Sequence, residues 1–494
     1  MGERTGLKFS LSPFDSARFE ALAEGLEVSV MQLSAWQADN DFHRLDSQFQ
    51  RKSLLAAIGT VCAHGAIQLH DEQLEIIHPH ELKREYTEED AGTWFLRTQN
   101  VRPMRLDKAN KVFLPTSVAD GLPRNRVRAD DILMTRTGAN RGDCTLFDGS
   151  EPAVASSHVF LIRSAGWSPS YLMTFLNTKY GLGQIEKGAY GAAQPELAPY
   201  YLQRIWIPAA SDRLQSEISR LIHEAREASS STADQLARAE TALLDALGLA
   251  DWSPPEPLTY SSSASAVVAA ERLDPQYFMP AKTLMFEALA ALDGRPIGES
   301  FRSIRDVIDP TQGDRSRLVR NYDLTDALQP VLDESLAPVP LSDIESQKKR
   351  FQDGDLAVSR LRSYLREIAV VRVPDDVPAI GSSEFYVLRR RPKARHISAE
   401  TMMIYLRAKP VQTMLKWCQD GSQHPRFAER DLLAIPLPEI VADLNDDLTK
   451  HVREALDKRA RSLALLAAAR SAVEIAIEVG EPAAFQFLAQ THTR

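Results

Sequence analysis

The tract FHRLDSQFQ at residues 42–50 returns as AERLDPQYF at 270–278, so R-L-D-x-Q-aromatic occurs twice, with Leu45 and Leu273 228 residues apart. That interval is too long for one unit of a solenoid and is the length of a domain. If it marks a duplication, other landmarks must recur in the same order at nearly the same offset. They do. FLRTQNV (95–101) pairs with LVRNYDL (318–324), aligning Arg97 with Arg320 and Asn100 with Asp323, and DILMTR (131–136) pairs with DLAVSR (355–360). ASSHVFLIR (155–163) pairs with GSSEFYVLR (381–389), YLMTFL (171–176) with TMMIYL (401–406), and Ile207-Pro208 with Leu437-Pro438. The offsets run from 223 to 230, the slow drift that small loop insertions produce. The chain therefore reads as two copies of one domain.

Each copy mixes strands and helices. DILMTR, HVFLIR, DLAVSR, EIAVVRV and EFYVLR are short β-rich runs bounded by Gly, Asn, Asp and Pro, whereas SPSYLMTFLNTKYG and SAETMMIYLRAKPVQTMLKW open on a Ser cap and continue with helical spacing. Composition then changes abruptly. Residues 211–249 contain no Pro, keep Leu214, Ile218, Leu221, Ile222 and Ala225 on one face and reach Gly248 as a C-cap. In residues 439–480, Leu444, Leu448, Val452 and Leu456 repeat every four positions and Gly480 ends the run. Helices of this length span roughly 55–60 Å. Each needs a cover for its apolar stripe, and the only stripe of matching length is the other one; the alternative is that each packs on its own sheet domain. The expected fold class is α+β: two tandem mixed α/β domains joined by two long helices packed as an antiparallel coiled coil, with a pseudo-twofold internal duplication. The expected boundaries are an N-terminal helical segment 1–42, domain 43–208, long helix 209–250, linker 251–270, domain 271–438, long helix 439–480 and tail 481–494.

The net charge of −9 argues at first sight against nucleic acid. Its distribution argues the other way: residues 91–208 carry 14 basic and 9 acidic groups and residues 300–438 carry 22 and 19, leaving about −17 for the remainder. A positive surplus on the mixed domains with an acidic framework suits DNA-facing modules. Cys62, Cys144 and Cys418 are too scattered for a zinc site or a disulfide framework and read as buried thiols in a reducing compartment. The N-terminus lacks an apolar signal region and no window is long and apolar enough to span a bilayer, so the expectation is a cytoplasmic protein with no membrane partner.

Local runs nominate contact residues. LPRNRVRADD places Arg124, Arg126 and Arg128 at alternate positions, which in an extended segment share one face. Arg136 and Thr137 come next in MTRTG, and the second copy has Arg360, Arg362 and Arg366 around Tyr364 in SRLRSYLRE. Arginine can hold phosphate or read a guanine edge bidentately, although such clusters also occur as solvated faces. Two glycine-flanked polar loops, KGAYGAAQPEL (187–197) and QDGSQHPRF (419–427), fall at corresponding places and align Gln194 with Gln423. Small residues permit close backbone approach, Gln pairs with adenine, and Lys187, Tyr190 or Arg426 can bond to phosphate, with His424 a further candidate for DNA contact; a plain surface turn is the alternative. Arg97, Asn100 and Arg320 complete the candidate set.

The whole pattern resembles the specificity subunit of type I restriction-modification systems. The likeness is carried by RLDSQF and RLDPQY, FLRTQNV, ADDILMTRTG and DGDLAVSR, GAAQPEL, IWIP and IPLP, and the helices beginning near Leu214 and Leu444, and it covers nearly the full chain. The resemblance implies two target-recognition domains, each reading one half of a bipartite site in double-stranded DNA, with the helices setting the unread spacer. It also implies two adenine-methyltransferase (modification) subunits, which bind S-adenosylmethionine, and restriction/motor subunits; this chain would hold no cofactor or metal. The second copy departs by carrying SRLRSYLRE where the first has TRTGANRG, and GSQHPRF where the first has GAAQPEL.

Enzyme signatures are missing. There is no G-x-x-x-x-G-K-[ST] loop and no Asn-Pro-Pro-aromatic or Asp-Pro-Pro-aromatic run, and Asp375, Asp376 and Glu384 lack the E-x-K that a metal nuclease would add. His158, opposite Glu384 in the other copy, reads as a satisfied strand-edge side chain. The remaining rival is a duplicated coiled-coil scaffold without DNA readout.

Overall fold

The computed structural model describes residues 15–26, 32–38, 44–63, 65–69, 74–108, 111–191, 195–373 and 377–491. Gln194, Asp375 and Asp376 lie outside these. The chain divides into two compact units, Met1–Ala225 with Leu463–Arg494, and Arg226–Ser462.

In the first unit a four-stranded antiparallel sheet has the order Leu74–Ile77, Val159–Ser164, Ile132–Thr135, Cys144–Leu146. Its two central strands are the DILMTR and HVFLIR runs, and both faces are covered. Ile132, Met134, Phe160 and Ile162 alternate onto a core shared with helix Pro169–Leu176, while Leu133, Val159 and Leu161 face Trp94 and Phe147. This is the period of two expected of strands buried on both sides. A three-stranded sheet, Phe113–Pro115, Gly92–Leu96, Ala153–Ala155, includes one parallel pair. Ser168 caps Pro169–Leu176 by accepting from the Tyr171 amide, as its position in the sequence predicts.

The second unit is also mixed, with two five-stranded sheets. One has the order Phe301–Ile304, Phe385–Arg390, Leu356–Ser359, Ile368–Arg372, Val331–Asp333. Leu356, Val358, Ile368 and Val370 point to the helical core and Ala357, Ala369, Val371 and Val387 to the other layer. Ser398 caps Ala399–Arg407 through the Thr401 amide.

The long helices are Asp212–Ala246 and Asn445–Glu478, 35 and 34 residues, or about 52 Å each and slightly shorter than expected. The second starts later because Glu439–Asp443 forms a separate helix, and Asn445 is buried with its Oδ1 accepting from the Ser398 amide. The helices pack together, as expected, and also pack on the sheet domains. In the first unit Leu214, Ile218, Leu221 and Ile222 share a core with Ala469, Ala472, Val473 and Ile477. In the second, Ala239, Leu243 and Leu247 share one with Leu448, Val452 and Leu456. Their direction there is antiparallel: Ser231 meets Lys458, Thr232 meets the Ala455 carbonyl and Gln235 meets His451. Gly248 and Gly480, at φ +68° and +114°, sit just past the helix ends where a left-handed residue is needed.

Cys144 and Cys418 are buried but Cys62 is exposed, a correction to the expectation for all three. It lies on helix Lys52–Ala63, whose buried positions are Leu54 and Val61. Among the described residues no helix is long and apolar enough to cross a membrane, and no cluster of metal-ligating side chains occurs.

Candidate nucleic-acid interface

The repeated R-L-D motif is a clip at the end of a helix. In the first unit Arg44 forms a two-point ion pair with Asp46 (2.8 and 3.0 Å), lies 4.8 Å from the Phe49 ring centre and donates to the carbonyl of Lys187, in the last turn of helix Lys179–Gly188. In the second unit Arg272 pairs with Asp274 (2.7 and 2.7 Å), lies 4.5 Å from the Tyr277 ring centre and donates to the carbonyls of Cys418 and Gln419, at the end of helix Lys409–Cys418. A helix end leaves carbonyls without partners and carries partial negative charge, so an arginine already oriented by a carboxylate and a ring is a strong cap.

Each capped helix runs directly into the glycine-flanked loop of its unit. Tyr190 and Glu196 pair through both backbone groups (3.0 and 2.8 Å), as do Asp420 and Arg426 (2.8 and 2.8 Å). The first residue past each, Gly191 and Gly421, has φ +98°, a conformation that a side chain disfavours. Each loop is then stitched to the end of a central strand, since Leu197 donates to the Arg136 carbonyl and Phe427 to that of Arg360. The result in each unit is a pair of loop ends joined beside the arginine that leaves the sheet.

Those arginines are held by carboxylates. Arg136 Nη2 donates to Glu196 at 2.5 Å, and its Nη1 lies 2.9 Å from His78 Nε2, which also lies 3.1 Å from the Ser157 carbonyl. Burial and the Arg136 charge lower the His78 pKa, keeping the imidazole neutral near pH 7. Thr137 Oγ1 lies 3.1 Å from His158 Nδ1. In the second unit Glu384 accepts from both Arg426 (2.9 and 3.0 Å) and Arg360 (2.6 Å), and these bonds hold its carboxyl at about 2. The loop position that carries Glu196 in one unit carries Arg426 in the other. The second network, two guanidiniums on one carboxylate, keeps a positive surplus that the first does not.

The other candidates divide by exposure. Arg124, Arg126 and Arg128 are exposed and the Asn125 and Val127 between them are buried, although Arg124 lies in a short 3-10 helix, Pro123–Asn125, and not in an extended segment. Arg124 donates to the His78 carbonyl and Arg126 pairs with Asp120. Tyr190 is half-exposed. In the second unit the turn Ser363–Leu365 projects Tyr364 at 60% exposure between Arg362 and Arg366, both in the left-handed region at φ +44° and +54°. Strained non-glycine backbone of this kind persists only where the surroundings impose it. Arg362 bonds the Pro425 carbonyl through its amide and reaches His424 Nδ1 at 3.3 Å, tying this turn to the loop; Gln423 and His424 are exposed.

Three expected contacts are corrected by burial. Lys187 is 2% exposed with Nζ 3.5 Å from the Phe49 ring centre, so its ammonium faces the clip. Asn100 is buried, accepting from the Arg97 amide and donating to the Asp107 carbonyl, which closes the turn that the half-buried Arg97 begins. Arg320 is buried and donates to the Leu336 carbonyl. The Asn100 and Arg320 side chains position backbone, and that of Lys187 packs on a ring. Conversely, Glu196, Glu384, Arg44 and Arg272 organise the site and were not among the expected residues; the repeated R-L-D was the available signal for the two arginines, and the two carboxylates, at non-equivalent positions, had none.

No protein-family model and no curated protein matches the chain. Among solved structures it is similar to the type I restriction-modification S subunit from M. genitalium, at 12% identity over 84% of this chain and 96% of that one, with a TM-score of 0.35. It is also similar to the HsdS subunit from Thermoanaerobacter tengcongensis, at 13% identity over 84% of this chain and 99% of that one, TM-score 0.24, and over 36% of its length to the type IIG restriction endonuclease BpuSI, at 11% identity over 28% of that chain and TM-score 0.30.

Proposed function

We propose that the chain is the non-catalytic DNA-recognition subunit of a type I-like restriction-modification complex in the cytoplasm, with two recognition domains, 43–208 and 271–438, produced by duplication. Each domain reads one half of a bipartite site. The long helices set the spacer and dock two adenine-methyltransferase subunits, whose S-adenosylmethionine supplies the methyl group, and restriction/motor subunits complete the complex. The observation that carries the reading is the loop beside the strand-end arginine in both units, with different side chains at equivalent positions: Glu196 beside Arg136, and Arg426 with Arg360 on Glu384. A shared frame with exchanged polar groups suits two domains that read different bases, because discrimination in the major groove rests on donor and acceptor placement. Oriented arginines lose less freedom on binding.

The test is a genome-wide map of N6-methyladenine with and without this gene. Loss of methylation at one motif with two short specific halves around a fixed spacer is expected. An unchanged map in cells that express the methyltransferase refutes the reading and favours the scaffold.

A further inference from the structure

The leucine inside each R-L-D clip faces solvent. Leu45 is 83% exposed and Leu273 is 88% exposed, although each stands between an arginine and an aspartate that are locked together. A single exposed leucine is unremarkable. Here the same position is exposed in both units, and in both the backbone around it is fixed. Asp46 Oδ1 accepts from the Phe49 amide, and Trp36 Nε1 donates to the Arg44 carbonyl. Tyr277 donates to Asp431, and Arg430 donates to the carbonyl of Ala270 just upstream. Each clip also comes after a short helix carrying an exposed apolar residue, Leu33 on Leu33–Ala38 and Val268 on Ala264–Ala270.

We infer that Leu45 and Leu273 are two equivalent docking knobs for a protein that binds in two copies, one on each clip. This rests on the proposed function, under which the occupant is the adenine-methyltransferase subunit, held by the long helices and anchored by the knob, without which it does not stay bound. The chemistry favours a protein over DNA. The charge of each clip arginine is already matched by its aspartate, and the flanking Arg51 and Arg430 are likewise paired, with Glu186 and Glu271, so these guanidiniums are not aimed at phosphate. An apolar side chain on a backbone already held in place, with satisfied polar neighbours, is instead what fills a hydrophobic pocket at an interface, at the cost of ordering one side chain only. The clip arginine also caps the helix that leads into the loop, so a subunit seated on the knob stands next to the bases that the loop engages.

The experiment uses Leu45→Asp, Leu273→Asp, the double variant and Leu45→Met/Leu273→Met, each co-expressed with the cognate adenine-methyltransferase subunit and examined by native mass spectrometry. Both leucines are exposed, so thermal unfolding of the free chain is expected to be unchanged. The wild-type and methionine chains should carry two subunits, each single aspartate variant one, and the double variant none, a weakening of about 30-fold or more per site. DNA affinity of the free chain should not change. A double aspartate variant that still carries two subunits overturns the knobs and leaves the proposed function standing. Loss of DNA affinity with two subunits retained assigns the leucines to DNA and overturns the inference. A wild-type chain that carries no subunit overturns both.

Discussion

Asp355 accepts three hydrogen bonds from a nearly inaccessible position: Arg389 Nε at 2.6 Å, Arg389 Nη2 at 2.8 Å and the Gln352 amide at 2.8 Å. Asp355→Ala removes all three acceptors. The guanidinium is left without its counter-charge, and the amide without its acceptor. Breaking a buried pair from one side costs about 3–5 kcal/mol. Arg389 keeps about a quarter of its side-chain surface in water and recovers part of its hydration, which places the expected loss near the lower figure, about 3 kcal/mol. That is roughly a hundredfold in the local opening equilibrium. Hydrogen exchange read by mass spectrometry should show faster exchange in Leu356–Ser359 and Phe385–Arg390, the strands that the pair joins, and unchanged exchange in Ile132–Thr135. Asp355→Ala combined with Arg389→Met should lose less than the sum of the single changes, since no orphan charge remains. A loss below about 1 kcal/mol, or strict additivity of the two changes, refutes the argument that this pair holds the sheet.

Under the proposed function, Arg136→Ala should weaken recognition of one half-site and Arg426→Ala of the other, read as separate changes in the methylated motif; equal losses at both halves contradict the modular reading. Lys187→Met should leave the salt dependence of DNA binding unchanged, because the ammonium is buried against Phe49, whereas a phosphate contact would lower the slope by about one. Glu384 sits at about 2 against an ordinary 4.5, so its contribution to stability is present above pH 4.5 and is lost as pH falls toward 2. Glu384→Gln should therefore flatten acid unfolding in that window, and an unaltered acid limb counts against the two-arginine clamp.

Periodicity and capping were legible in the sequence because they are local. The stripe from Leu214 to Ala225 is buried throughout, the DILMTR and DLAVSR runs are central strands, Ser168 and Ser398 cap their helices, and Gly248 and Gly480 sit just past the ends of theirs. Each depends on residues within a turn or a strand of one another. The recurrence of R-L-D was equally plain, but its meaning was not. Arg44 meets Lys187 across 143 residues and Arg272 meets Cys418 across 146, and nothing local to the motif says that it ends a helix.

The same reason explains the candidate residues that moved inside. Lys187, Asn100 and Arg320 have the chemistry of surface contacts, yet the fold supplies each with a ring or a carbonyl in the interior. Glu196 and Glu384 became organising groups only because a loop and a strand end converge, bringing Arg136 to the first and Arg360 with Arg426 to the second. The sequence by itself determined where the central strands, the Ser-capped helices and most of the two long helices fall and that its motifs recur in order, since backbone preference and burial period are written residue by residue. Which charges face solvent, and which are spent holding a loop in place, was decided by tertiary structure, because a side chain's partner is set by whatever distant segment the fold brings within about 3 Å.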